Sequence, residues 1–115
     1  MVFGGNVPPI EIDPSEVKRR LDAGDRLRMV DVREPFEHDQ AHIEDTELIP
    51  MRSVPQSLES LRTGTGQLVL FCHHGMRSLQ VAEWLRRQGW EDCVSMAGGI
   101  DRWSLEIDAT VPRYH

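Results

Sequence analysis

Two cysteines, Cys72 and Cys93, are all that the 115 residues contain. That is too few for a disulfide framework, so the expected setting is a reducing cytoplasm. Basic residues are in the minority. Thirteen Lys and Arg stand against 19 Asp and Glu, giving a formal net charge of −6 and a pI near 5.3. This balance argues against general nucleic-acid binding, which needs a basic surface. Lysine itself is almost missing, Lys18 being the only one, but composition alone gives that no functional meaning. No apolar run approaches membrane-spanning length, and the opening "MVFGGNVPPIEI" lacks the charged-then-apolar order of a signal peptide. Repeats, low-complexity tracts and internal linkers are absent too. The expectation is one small, acidic, cytosolic domain, long enough to bury a single core without staples.

What is present is alternation. "IEI" (10–12) reads as a short strand, and "DPSEVKRRLDAG" (13–24) as a helix with both ends marked. Asp13 stands at the cap, Pro14 at the first helical position, Glu16 at capping-box spacing and Gly24 at the stop. "LRMVDV" (27–32) predicts a strand, "EPFEHDQ" a short helical turn, and "TELIP" (46–50) a short strand closed by Pro50. "SVPQSLESL" (53–61), with Ser53 and Gln56 at capping-box spacing, predicts a helix; "GTGQ" is a turn. "QLVLF" (67–71) is a nearly continuous apolar run, as expected of a parallel strand covered on both faces. "SLQVAEWLRRQG" (78–89) carries Val81, Trp84 and Leu85 on one helical stripe and Gly89 as its stop. "CVSM" (93–96) is the last strand, followed by "AGGIDRW". Strands alternating with helices predict an α/β fold around a mainly parallel sheet.

That architecture places Cys72 at the carboxyl end of the most apolar strand, immediately before a helix. Ligands of open α/β sheets bind there, where helix N-termini offer free N–H groups. A turn containing Gly75 can curl its successive amides inward as an anion nest. Amides, helix dipole and Arg77 then favour the thiolate, which is the nucleophilic form. Arg77 also brings a fixed fork of donors suited to an oxyanion. A free cysteine usually just packs, but packing alone requires neither the glycine nor the arginine at these offsets. Cys93 has no such setting. It follows Glu91 and Asp92, which disfavour a thiolate, and is read as structural, with a resolving thiol as the alternative.

The same residues carry a family resemblance. "CHHGMRS" (72–78) resembles the active-site loop of the single-domain rhodaneses, the thiosulfate sulfurtransferase family. "LRMVDVREPFEHDQAHI", "IPM" and "MAGGIDRW" are similar to further family motifs in the same order, so the resemblance covers nearly the whole chain. One segment departs: "AHIEDT" places Ala41, Asp45 and Thr46 where small residues are common in the family, which bears on the conformation of that loop. The resemblance implies a single rhodanese-like domain over 1–115, with its core at about 10–105 between short tails. It also implies a five-stranded sheet flanked by helices on both faces. Cys72 would be the catalytic nucleophile, taking sulfane sulfur from a donor such as thiosulfate or a persulfide and holding it as a persulfide. Cyanide in an assay, or a thiol such as thioredoxin or glutathione in the cell, would then collect it. His73, His74, Gly75, Met76, Arg77 and Ser78 would bind substrate, the histidines when protonated. Asp31 and Arg33 resemble the family's structural pair beneath the loop, with a plain surface ion pair as the alternative.

No metal or organic cofactor is implied. His73 and His74 beside a cysteine suggest a metal site, but consecutive side chains converge on one ion only with difficulty. His38 and His42 are expected as loop hydrogen-bonders, Trp90 and Trp103 as core or rim aromatics. Two rival functions stand beside sulfur transfer. One is a carrier module relaying persulfide sulfur to a protein partner. The other is oxyanion chemistry, since phosphatases and arsenate reductases of the same fold have loops resembling this one with an extra residue between Cys and Arg. The four residues between Cys72 and Arg77 favour sulfur.

Overall fold

The apolar runs become the strands of one sheet. In the computed structural model, which describes residues 7–115, these are β1 (Glu11–Ile12), β2 (Leu27–Asp31), β3 (Glu47–Leu48), β4 (Gln67–Phe71) and β5 (Val94–Met96). Half of the opening stretch read for a signal peptide, residues 1–6, lies outside the described residues. The strand order is β1-β5-β4-β2-β3, and every neighbouring pair is parallel. The helices are α1 (Pro14–Asp22), α2 (Pro35–Gln40), α3 (Leu58–Arg62), α4 (Met76–Arg87) and α5 (Gly99–Glu106).

Strand periodicity sorts the core into two layers. Val69 and Phe71 of β4 pack with Val17 of α1 and with Ile100 and Trp103 of α5. Leu68 and Leu70 turn the other way, toward Leu61 of α3 and Val81, Ala82 and Leu85 of α4. Cys72 continues that second set, so it faces α4. Helices therefore cover both faces of a parallel sheet, as expected, and β4 lies at its centre with β5 and β2 beside it. Fully burying an aliphatic side chain such as Leu85 is worth about 1.5–3 kcal/mol, which fixes α4, and the loop before it, on the sheet. Among the described residues no helix is long and apolar enough to cross a membrane.

Four local expectations need correction. Asp13 does occupy the cap of α1, but no capping box forms. Its carboxylate accepts from Arg102, and Glu16 accepts twice from Arg19. Residues 53–61 are not one helix. The chain makes two 3-10 turns, Met51–Ser53 and Pro55–Ser57, before α3. Pro55 lacks an N–H, and the Ser57 hydroxyl bonds the Ser53 carbonyl, a local competitor of helix hydrogen bonding. The helix expected from Ser78 starts at Met76, because Gly75 at φ +102° serves as its cap. Finally, α5 was not anticipated at all. Its entry runs through Gly98 and Gly99 at φ +74° and +60°, and a glycine pair reads as a turn.

Candidate active site

The segment from Cys72 to Ser78 wraps around its own sulfur. Cys72 Sγ accepts from the Gly75 N–H at 3.2 Å and from the Ser78 N–H at 3.4 Å. Two backbone donors aimed at one sulfur favour negative charge there. The amides of His73, His74, Met76 and Arg77, in the same turn, have no hydrogen-bond partner among the described residues. Only glycine allows that turn: Gly75 is left-handed, and a Cβ there would lie 3.1 Å from the Gly98 nitrogen. Ser78 is fully buried behind the sulfur, its hydroxyl 2.7 Å from that of Ser95 on β5 and 3.3 Å from the Gly75 carbonyl.

The α5 N-terminus clasps the loop from behind. Ile100 N–H donates to the Cys72 carbonyl at 2.8 Å and Asp101 N–H to the His73 carbonyl at 3.1 Å. These are amides that a helix start leaves free. The approach is so close that a Cβ on Gly99 would sit 2.3 Å from the Cys72 oxygen and 2.5 Å from that of His73. The Gly-Gly pair was legible as a motif, but its role as a backing plate was not.

Arg77 presents its fork to a protein carboxylate. Its two terminal nitrogens lie 2.8 and 2.9 Å from the oxygens of Glu37 on α2. Arg77 beside it, more than any other neighbour, holds the Glu37 carboxyl down at about 2, and Glu37 in turn raises the Arg77 guanidinium above its usual range. Tyr114 O–H also donates to Glu37 at 2.9 Å. Burial pushes that phenol up to about 12. Sequence reasoning missed both residues. Glu37 was read only as part of a short helical turn, where it accepts the Glu34 N–H at 3.1 Å; nothing in the pattern linked Tyr114 to a loop some forty residues earlier.

Asp31 and Arg33 are wholly buried and bonded to each other, at 2.9 and 2.7 Å. The remaining Arg33 donors reach the Glu37 and Ala41 carbonyls and the Tyr114 hydroxyl, so all five are satisfied. This is an interior pair carrying α2 and Tyr114, not the surface pair of the alternative. His38 Nδ1 lies 3.4 Å from Asp31, and His42 lies 3.1 Å from Glu44. Trp103 is buried, and Arg62 covers the face of Trp90.

His73 is sandwiched between the rings of Tyr114 and His74, at centroid distances of 4.0 and 3.8 Å. Its Nε2 is 3.0 Å from the Tyr114 carbonyl. Burial, then the neighbouring His74, lowers its pKa, so it is held as the neutral ring. His73, His74 and Asp101 are the metal-ligand cluster found among the described residues, with donor atoms within 4.8 Å of one another. Their donors are engaged within the protein: His73 Nε2 lies at the Tyr114 carbonyl, and both Asp101 oxygens accept from Arg113. Cys93 is fully buried, and burial pushes its thiol up to about 12. The site is thus a turn of backbone donors around the buried Cys72 sulfur. A cleft of about 640 Å³ near Met29, Ile43 and Trp103 includes no residue of the loop.

Comparison with known proteins places this geometry. The Rhodanese-like domain family matches residues 13–106. A sulfurtransferase of Allochromatium vinosum is 31% identical over 94 residues, covering 82% of this chain and 87% of that protein. The probable adenylyltransferase/sulfurtransferase MoeZ of Mycobacterium tuberculosis is 35% identical over 109 residues, 90% of this chain. The chain spans only 26% of the length of MoeZ. Among solved structures, a rhodanese-like domain protein from Staphylococcus aureus superposes with a TM-score of 0.77 at 29% identity, covering 93% of this chain and 100% of that one. With its family match, its parallel sheet and its cysteine loop in agreement, this chain belongs to the rhodanese-like domain family.

Proposed function

We propose that the domain is a sulfurtransferase that carries sulfane sulfur on Cys72. The observation that carries the reading is the socket: Sγ accepts two backbone N–H groups at 3.2 and 3.4 Å, with further unpaired amides in the same turn. With thiosulfate as donor, the Cys72 thiolate attacks the outer sulfur, the S–S bond of thiosulfate breaks, and sulfite leaves with the electron pair. The product is a Cys72 persulfide anion. An acceptor thiolate, or cyanide, then attacks the terminal sulfur and Cys72 departs as thiolate. Each step exchanges one S–S bond for another bond to sulfur, so no outside oxidant or reductant is needed.

The amides stabilise the anion at both stages, because their dipoles are already oriented and need no rearrangement during transfer. Glu37 takes one N–H from each terminal nitrogen of Arg77, and the donors it leaves free remain for the donor's oxyanion. Ser78 and the Gly75 turn hold the socket open, and the buried Asp31–Arg33 pair supports α2 beneath Glu37. Two free thiols suit a reducing compartment such as the cytoplasm, where thioredoxin or glutathione supplies the acceptor. The relatives named sulfurtransferases support the class of reaction.

The test is intact mass after thiosulfate. One sulfur atom should be gained and then removed by cyanide, and Cys72→Ser should gain none. An adduct that survives in Cys72→Ser sinks the assignment.

A further inference from the structure

The ion pairs around the loop are built the opposite way from most of those elsewhere. Arg52 is 71% exposed and its partner Glu34 30%; Arg77 is 35% exposed and Glu37 9%. Arg113 is likewise more exposed than its partner Asp101. Away from the loop the acid is usually the outer member, as in Arg28–Glu47, where the arginine is 14% exposed and the glutamate 44%. The same order holds for the pairs of Lys18, Arg20, His42, Arg62 and Arg102; Arg19–Glu16 and His38–Asp31 are the exceptions, and Arg33–Asp31 is buried on both sides.

These outward cations are linked to the site. Glu34 N–H donates to Glu37, which holds Arg77, and the Asp101 N–H donates to the His73 carbonyl. An acidic protein therefore turns a cationic collar outward around the Cys72 sulfur. Two apolar residues adjoin members of this network in the chain. Phe36 precedes Glu37 and Met76 precedes Arg77, and they are the most exposed large hydrophobic residues among those described. A small oxyanion has no use for them. A protein segment does, since buried apolar contact is what distinguishes a docked chain from a diffusing anion.

From this we infer that the collar docks an acidic protein segment that brings a cysteine thiol to Cys72 and lays an apolar side chain over Phe36 and Met76. The inference rests on the proposed sulfur transfer and names its acceptor. The net charge of −6 opposes such a partner only at long range, where salt screens it within about 10 Å. In the transfer, the partner's thiolate attacks the terminal sulfur of the persulfide and becomes a persulfide itself, while Cys72 returns to thiolate.

The protein loaded from thiosulfate and freed of donor is mixed with three acceptors. These are 2-mercaptoethanol, a short peptide with cysteine among Asp, Glu and Leu, and the same peptide with Lys for the acids. Each peptide's unloading rate is divided by its rate on a small disulfide, which removes differences in intrinsic thiol reactivity. The acidic peptide should then exceed the lysine peptide by about tenfold at roughly 0.1 M salt, where the net charge is screened. Arg52→Glu should cut that ratio severalfold and Phe36→Ser should slow the acidic peptide, both leaving 2-mercaptoethanol unchanged. Equal ratios, faster unloading by the lysine peptide, or a ratio that survives Arg52→Glu overturns the docking collar alone. If the protein never loads sulfur, the sulfur-transfer reading falls and takes the collar with it.

Discussion

Cys72 and Cys93 are both buried and sit in the same apolar layer of the sheet, yet their surroundings differ in kind. Cys93 packs just before β5, and burial drives its thiol toward the neutral form. Cys72 is covered by donors: N–H groups of its own loop aim at its sulfur, and α5 has drawn the nearby carbonyl oxygens away. Burial by itself therefore does not decide what a cysteine does. The orientation of the neighbouring peptide groups does.

The most damaging way to break this contrast is Gly99→Ala. The new methyl would lie 2.3 Å from a backbone oxygen that cannot swing aside, at a backbone angle L residues resist. A displacement on the order of 1 Å at the sulfur should lower persulfide formation by roughly a hundredfold. Cys93 should remain unreactive to iodoacetamide in the folded variant. Wild-type rates from this protein would mean that the backing plate is not what orders the loop.

A smaller effect is expected at Glu37. Its folded-state pKa lies below the unfolded one, at about 2, so its contribution is complete at neutral pH. That contribution fades as pH falls through the unfolded value and then through the folded one. Glu37→Gln should cost about 1–3 kcal/mol at pH 7, because it leaves a half-covered Arg77 without its counter-charge. The difference from wild type should shrink as the solution is acidified toward pH 2. Denaturant titrations across that range decide it, and a constant gap would show that the pair contributes no charge-dependent stability.

Cys93→Ser should do least to the chemistry. A hydroxyl in that apolar layer costs about 1–3 kcal/mol if it finds no partner, while sulfur transfer stays within about twofold of wild type. Loss of transfer at unchanged folding would make Cys93 a resolving thiol.

Strand and helix order could be read directly, because apolar periodicity and the stops at Gly24 and Gly89 are local signals. The cysteine loop was legible for the same reason: Cys72, Gly75 and Arg77 lie within one turn. Features assembled across the chain were not. The partnership of Arg77 with Glu37 depends on packing α2 against the loop, and Tyr114 enters only once the C-terminal stretch folds back over Arg33. The α5 helix was hidden by its two left-handed glycines. The departure at "AHIEDT" has a simple geometry: Asp45 takes φ +63°, a conformation that aspartate tolerates better than most residues.

The clasp between α5 and the loop also sets what the socket can distinguish. With the Cys72 and His73 carbonyl oxygens bound from behind, the peptide dipoles at the front share one polarity. Such a surface reads charge more than shape. It favours a terminal sulfur that still bears its negative charge over one capped as a neutral disulfide. In the proposed sulfur transfer, the resting cargo would thereby be kept in the form an incoming thiol can collect, and a blocked sulfur would be held without that advantage.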